Sequence, residues 1–180
     1  MLYQICVNLW ELVLFCVSKG ELIIEMTNFL GEYEVAIDAK GRFLLPSGFR
    51  KQLAEGTGEK FVINRGFENC LTMYTMDVWN AISDKINRLN DFKPNVREFK
   101  RLFLNGANIV EIDSADRLLL PKQLMEYAGI KKDVVMSAQG NKVELWDKDT
   151  YYNYLRQHAG GFSKLAEEVA IDFGNPFESM

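Results

Sequence analysis

The chain has 180 residues, 48% hydrophobic and 26% charged, with 13 Gly and only 4 Pro. This composition excludes wholesale disorder, collagen-like repeats and mucin-like stalks, and the length allows one domain or two small ones with a buried core. The 21 basic and 25 acidic residues give a net charge of −4, which argues against a generic polyanion binder, although charge placement matters more than its sum.

Residues 1–25 differ from the rest. Ile5 to Val17 reads ICVNLWELVLFCV, apolar but interrupted by Asn8 and Glu11 and only 13 residues long. A bilayer-spanning helix needs about 20. No positive n-region or small-residue cleavage site marks a signal peptide. Lys19-Gly20-Glu21, whose codons can read as a purine-rich ribosome-binding sequence, lies shortly before Met26. Residues 1–25 are therefore expected to be an extension produced by a mis-called start, with Met26 the initiator. The alternative is a genuine amphipathic or partner-binding segment.

An internal repeat organises the chain after Met26. Tyr33 to Pro46 (YEVAIDAKGRFLLP) aligns with Asn108 to Pro121 (NIVEIDSADRLLLP), sharing the pattern apolar-x-Ile-Asp-x3-Arg-apolar-Leu-Leu-Pro at a displacement of 75 residues. The match resumes at an offset of 72, with Leu71 to Tyr74 against Val143 to Trp146. The difference falls in a loop, where the first copy has Gly56-Thr57-Gly58 and where insertions belong.

Each copy predicts the same elements in the same order. Val35 and Ile37 alternate with Glu34 and Asp38, the pattern of a half-buried strand. Ala39-Lys40-Gly41 makes a tight turn in which Gly41 suits a positive φ. Arg42 to Leu45 returns as a second strand, and Pro46 ends it. A short helix follows at 47–54 in the first copy and 122–128 in the second, closed by Gly56 or Gly129. A second hairpin pairs 61–64 with 70–74, and 134–137 with 142–146.

Helices follow each copy. Met76, Trp79, Ile82, Ile86 and Leu89 recur at helical spacing, with Thr75 as N-cap and Asp77 in the first turn. A further helix opens at Asn95, with Glu98 completing a capping box after Pro94. It puts Val96, Phe99 and Phe103 on one face and ends near Gly106. Tyr151, Leu155 and His158 mark another helix, and 160–180 reads as a short helix and a frayed tail. The expected divisions are a first unit at 31–80, a helical connector at 81–106, a second unit at 107–150, and a C-terminal helix and tail at 151–180.

The chemistry-bearing residues are few. Cys6, Cys16 and Cys70 are an odd, widely spaced set without C-x-x-C, and His158 is the only histidine. A disulfide framework and a structural zinc site are unsupported, and no G-x-S-x-G elbow supplies a nucleophile for His158, which reads as a surface or helix-face residue. There is no phosphate-cradling glycine loop and no activated nucleophile. The expectation is a chain that is not an enzyme, with no cofactor, no metal and no small-molecule substrate.

What repeats is an Asp four residues before an Arg, straddling a hairpin turn. One reading is a turn lock, with Asp38 accepting backbone amides and Arg42 packed across the hairpin, since Asp is a habitual turn residue. The other is nucleic-acid contact by Lys40, Arg42 and Arg117. Arginine suits phosphates and guanine edges, and a two-stranded ribbon fits the DNA major groove.

Taken together, Asp38-x-Lys40-Gly41-Arg42-x3-Pro46-x2-Phe49-Arg50, then Ile112-Asp113-x3-Arg117-x3-Pro121, Tyr127-Ala-Gly-Ile130 and Asn141-Lys-Val-Glu-Leu-Trp146, resemble the MraZ family. These are bacterial transcriptional regulators made of two tandem SpoVT/AbrB-type units, and the resemblance spans residues 26–160. It implies a mixed α/β fold with a β-dominated core, in which swapped-hairpin AbrB-like units interlock into a double-split β-barrel with flanking helices. It also implies a ring-shaped homo-oligomer, cytoplasmic and nucleoid-associated, with no membrane. Its partner would be double-stranded DNA, at repeated sites upstream of its own division and cell-wall gene cluster. Lys40, Arg42, Arg50 and Arg117 become the DNA-binding candidates, and Asp38, Gly41 and Asp113 the turn-structural ones.

Two positions depart from the family pattern. Asp116 stands where a glycine usually precedes the second arginine, and its carboxylate is expected to neutralise Arg117. Met125 stands where an arginine is common, whereas the first copy keeps Arg50. The first repeat is therefore expected to dominate DNA contact. Residues 36–51 carry Lys40, Arg42, Arg50 and Lys51 against Asp38 alone, and residues 81–106 carry six basic against three acidic residues, the latter reading as a solvated helix face. The rival class is an antitoxin-like or scaffold protein, with the acidic tail (Glu167, Glu168, Asp172, Glu178) as its binding segment.

Overall fold

The fold is described from a computed structural model, which covers residues 28–53 and 59–173, with side chains to residue 170. The expected mis-called start, Cys6, Cys16, the Gly56 helix stop and the tail beyond residue 173 lie outside the described residues. Among the described residues, eight strands run in chain order as β1 (Glu32–Ala36), β2 (Arg42–Leu44), β3 (Lys60–Arg65), β4 (Leu71–Thr75), β5 (Asn108–Glu111), β6 (Arg117–Leu119), β7 (Asp133–Gln139) and β8 (Lys142–Asp147). The helices are α1 (Ser47–Arg50), α2 (Met76–Asn87), α3 (Pro94–Leu104), α4 (Lys122–Tyr127), α5 (Lys148–His158) and α6 (Phe162–Phe173).

Six strands form one antiparallel sheet in the order β1-β7-β8-β4-β3-β5, and β2 and β6 form a separate two-stranded ribbon. The first strand of each repeat pairs with the hairpin of the other repeat. Tyr33 on β1 faces Met136 on β7, and Val110 on β5 faces Phe61 on β3. The β4–β8 pairing, Leu71 opposite Leu145 and Met73 opposite Val143, joins the two hairpins at the centre. The strand exchange implied by the resemblance is thus present. Among the described residues a closed barrel is not: β1 and β5 are the two ends of an open sheet.

Burial explains the sequence patterns. All of β4 is buried, as befits a central strand, while β1 alternates between exposed and half-buried positions at its edge. One core takes residues from both repeats, including Phe43, Phe49, Phe61, Ile63 and Leu71 from the first and Leu118, Leu124, Met136 and Leu145 from the second. Pro46 precedes α1, and its carbonyl accepts from the amides of Phe49 (3.0 Å) and Arg50 (2.8 Å). Phe49 is thereby driven into the core against Phe29, with ring centroids 4.9 Å apart.

The helices follow the reading with two corrections. Thr75 caps α2, its hydroxyl accepting from the Val78 amide at 3.4 Å. Helix α3 begins one residue early, at Pro94 with Lys93 in the cap position and no side-chain cap. The proline's fixed φ suits the first helical position, so Asn95 falls inside the helix and the Asn95–Glu98 capping box does not form. Helix α1 is shorter than expected, with Lys51 already at its cap. Trp79, Phe99 and Phe103 stack where α2 meets α3.

Basic residues of α3 close the α2–α3 loop. The Lys100 ammonium lies 2.7 Å from the Asp91 carboxylate and donates to the carbonyls of Asn87 and Leu89. Arg97 donates to the Asp91 carbonyl at 2.7 Å. Helix α5 in turn clamps strand β1: Tyr151 donates to Glu32 at 2.6 Å, and Lys148 pairs with Glu34 at 2.7 Å.

Because both repeats share one core, Leu118→Ala is expected to cost about 2–5 kcal/mol. It should lower the whole molecule's stability in a single calorimetric transition. A polypeptide of residues 28–106 alone should lack native circular dichroism and regain it when mixed with residues 107–173.

Candidate nucleic-acid interface

The two Asp-x3-Arg segments build two nearly identical turns. In the first, the Asp38 carboxylate accepts from the amides of Lys40 (2.8 Å) and Arg42 (3.0 Å), and from the Arg42 guanidinium at 2.9 and 2.7 Å. In the second, Asp113 accepts from the amides of Ala115 (2.9 Å) and Arg117 (3.0 Å), and from the Arg117 guanidinium at 2.9 and 2.8 Å. Each aspartate therefore satisfies turn amides and orients an arginine at once. The guanidinium bonds, followed by the amides, hold both carboxyls down to about 2. Arg117 is shifted upward, chiefly by Asp113, with Asp38 contributing from across the ribbon.

The residue before each arginine has left-handed backbone, φ +82° at Gly41 and +54° at Asp116. A glycine adopts this freely and an Asp tolerates it. The ribbon then carries the arginines outward. Phe43 faces Leu118, and both are buried, while Arg42 sits opposite Leu119 and Arg117 opposite Leu44. The outer face thus interleaves two arginines with two exposed leucines, Leu44 at 59% and Leu119 at 52%.

Strand exchange decides what surrounds each turn. The Asp116 carbonyl accepts from Leu45 of the first repeat, and the Gly41 carbonyl from Leu120 of the second, both at 2.9 Å. Helix α1 of the first repeat therefore stands beside the second turn. Arg50 points its Nε at Asp116 Oδ1, 3.2 Å away. This corrects the expectation that Asp116 neutralises Arg117, which is engaged by its own Asp113 instead. At the matching place beside the first turn, the Met125 sulfur lies 3.6 Å from where a Gly41 Cβ would be.

Of the candidate DNA contacts, Arg42 and Arg117 come together on one ribbon and Arg50 joins the second turn. Lys40 stands exposed on the first turn, where the second has Ala115, and its side chain makes no ion pair or hydrogen bond among the described residues. The first turn sets Lys40 and Arg42 against Asp38 alone. The second sets Arg117 and Arg50 against Asp113 and Asp116. Residue-by-residue reading missed Leu44 and Leu119, whose exposure follows from ribbon register, and the Arg50–Asp116 pair, which follows from the exchange.

Other reactive groups lie apart from the ribbon. Burial, then the nearby Glu144 and Glu68 carboxylates, push the Cys70 thiol up to about 12, so it stays protonated at neutral pH. Glu68, Cys70 and Glu144 place ligand-type atoms within 4.8 Å of one another, but Glu144 is already engaged by Lys142 (2.9 Å) and Trp146 (3.0 Å). His158 lies exposed on α5, its Nδ1 2.8 Å from the Tyr154 carbonyl oxygen. Among the described residues, no helix is long and apolar enough to cross a membrane.

Comparison with known proteins agrees with this two-copy architecture. The family model described as "MraZ protein, putative antitoxin-like" matches twice, over residues 28–102 and 103–173. A protein named transcriptional regulator MraZ from Christiangramia forsetii is 46% identical over 145 residues, covering 80% of this chain and 94% of its own length. Proteins of the same name from Flavobacterium psychrophilum and Natranaerobius thermophilus are 42% and 40% identical, covering 80% and 81% of this chain and 92% and 98% of their own.

The depressed aspartates set a pH dependence. Their folded pKa values of about 2 lie below the ordinary 3.8, so the stability they contribute is fully present above the ordinary value and is lost as pH falls through it towards 2. The Asp38→Asn/Asp113→Asn variant should melt below the wild type near neutral pH. That gap in Tm should shrink as the pH is lowered from about 4 to about 2.

Proposed function

The chain belongs to the MraZ family, and from that premise we propose that it is a sequence-directed, DNA-binding transcriptional regulator. The ribbon carries this reading: two oriented arginines, Arg42 and Arg117, lie on one exposed face of a two-stranded antiparallel element. Such a ribbon fits the major groove, and guanidinium groups held in fixed geometry suit guanine edges and phosphates. The exposed leucines between them offer apolar contact to thymine methyl groups. Asp38, Gly41 and Asp113 hold the turns, Lys40 adds a phosphate contact at the first turn, and Arg50 stands at the other end of the ribbon, paired with Asp116.

A single protomer offers few basic groups at the ribbon, contacts few phosphates and gains little from counterion release. A ring-shaped homo-oligomer presenting the same ribbon several times to repeated sites binds more tightly through effective concentration, with no new contact. We place those sites upstream of the protein's own division and cell-wall gene cluster, and the protein itself in the cytoplasm at the nucleoid. A second reading, a protein-binding module of antitoxin-like type, draws on α6, whose Phe162 is 72% exposed with Leu165 and Val169 also exposed. Recovery of a stoichiometric protein partner through α6, together with no retention on DNA, would replace the first reading.

Fluorescence anisotropy on the duplex upstream of this gene, over a salt series, tests the proposal. Wild-type affinity should fall steeply with salt. Arg42→Ala should lose more affinity than Arg117→Ala, because the first turn carries the excess positive charge. Lys40→Ala should lower the salt slope by about one with no change in Tm, since its side chain is not part of the turn. Equal, salt-insensitive binding by all of these proteins would refute the ribbon as the contact face.

A further inference from the structure

We propose that Asp116 is a built-in competitor for phosphate at Arg50, so that the second turn holds a DNA contact in a neutralised state. This inference rests on the DNA-binding reading above and deepens it. The contact is a single Nε–Oδ1 approach of 3.2 Å, with the Arg50 side chain 39% and the Asp116 side chain 59% exposed. Exposed pairs of this kind are weak and screened by salt. A DNA phosphodiester brought to the same place offers Arg50 the same kind of partner, an oxyanion with two acceptor oxygens.

The carboxylate is not there to build the turn. Asp113 supplies the side-chain acceptors for the turn amides, and Asp116 joins the turn through its backbone, its amide donating to the Asp113 carbonyl and its carbonyl accepting from Leu45. The first turn performs the same task with Gly41, which has no side chain, and faces uncharged Met125. Chain positions 41 and 116 correspond between the repeats, as do 50 and 125. Exchange of strands brings 116 against 50 and 41 against 125. The charges therefore come and go as a pair: Asp with Arg at one turn, Gly with Met at the other. At φ +54° a glycine is at least as comfortable as an aspartate, so the backbone does not demand Asp116.

A phosphate approaching Arg50 must displace Asp116 and tolerate its charge. Asp116 thereby lowers the sequence-independent part of the affinity without touching base readout. The chain keeps an arginine beside the groove-facing ribbon while limiting its hold on bulk DNA.

The test uses full-length wild type, Asp116→Gly, Asp116→Asn, Arg50→Ala and the Arg50→Ala/Asp116→Gly double variant. Anisotropy is measured on the upstream duplex and on an unrelated duplex of equal length, across a salt series. Circular dichroism melts establish that each variant is folded, and Asp116→Asn repeats the charge removal without changing backbone freedom. Both single Asp116 variants should bind both duplexes roughly three- to tenfold more tightly at low salt, with a salt slope steeper by about one. Arg50→Ala should weaken binding little in the wild-type background and should erase the gain in the Asp116→Gly background. Unchanged affinity and slope in both Asp116 variants, or a gain that persists without Arg50, would overturn the inference while leaving the regulator reading intact if wild type binds as proposed. If neither wild type nor the Asp116 variants bind the upstream duplex in a salt-dependent way, the regulator reading itself falls, and this inference with it.

Discussion

Among the described residues, strand β1 has no hydrogen-bonding neighbour within its own repeat in the main sheet; its ladder runs along β7 of the other repeat, and β5 returns the arrangement along β3. Backbone amides and carbonyls that enter a core must be paired. This exchange therefore settles how both repeats fold. It draws residues of both copies into one core, crosses β2 with β6, and sets each short helix beside the turn of the opposite copy. The chemistry at the ribbon is a product of that crossing.

The Asp-x3-Arg motif works at a smaller scale in the same way. A carboxylate that accepts two turn amides cannot move far, and an arginine bonded to that carboxylate inherits its position. A long, flexible cation becomes a fixed one, and the entropy of ordering it is met by folding rather than by binding. The same bonds that make the motif look structural would also serve the DNA contact proposed for it. The two readings of the motif are compatible uses of one arrangement.

Much of this was legible in the chain itself. The duplication stands out because Asp38 and Asp113, Arg42 and Arg117, and Pro46 and Pro121 recur in register. Thr75 announced its helix because a cap is a local event between residues three apart. Gly41 announced its turn because only backbone φ was at stake. The start of α3 was misplaced because Pro94 and Asn95 both open helices, and local pattern does not rank them. The Arg50–Asp116 pair was beyond local reading: the residues are 66 apart, and only the sheet topology joins them. The clamp of Tyr151 and Lys148 on β1 has the same character, since nothing in the helix sequence names the strand it will hold.

Interlocking also has a consequence for biosynthesis. Glu32 pairs with Ser137, so on the ribosome β1 waits for a partner made about a hundred residues later, and the contact order of the fold is correspondingly high. Until then the first repeat carries an unpaired strand and an incomplete core, the features that invite pairing with a neighbouring nascent chain. When two such chains are made side by side, either second repeat can accept either β1. The tether through α2 and α3 gives the chain's own partner the advantage, because it keeps the two halves at a high local concentration. The connector between the repeats thus sets the local concentration of the two halves, in addition to packing against the finished sheet.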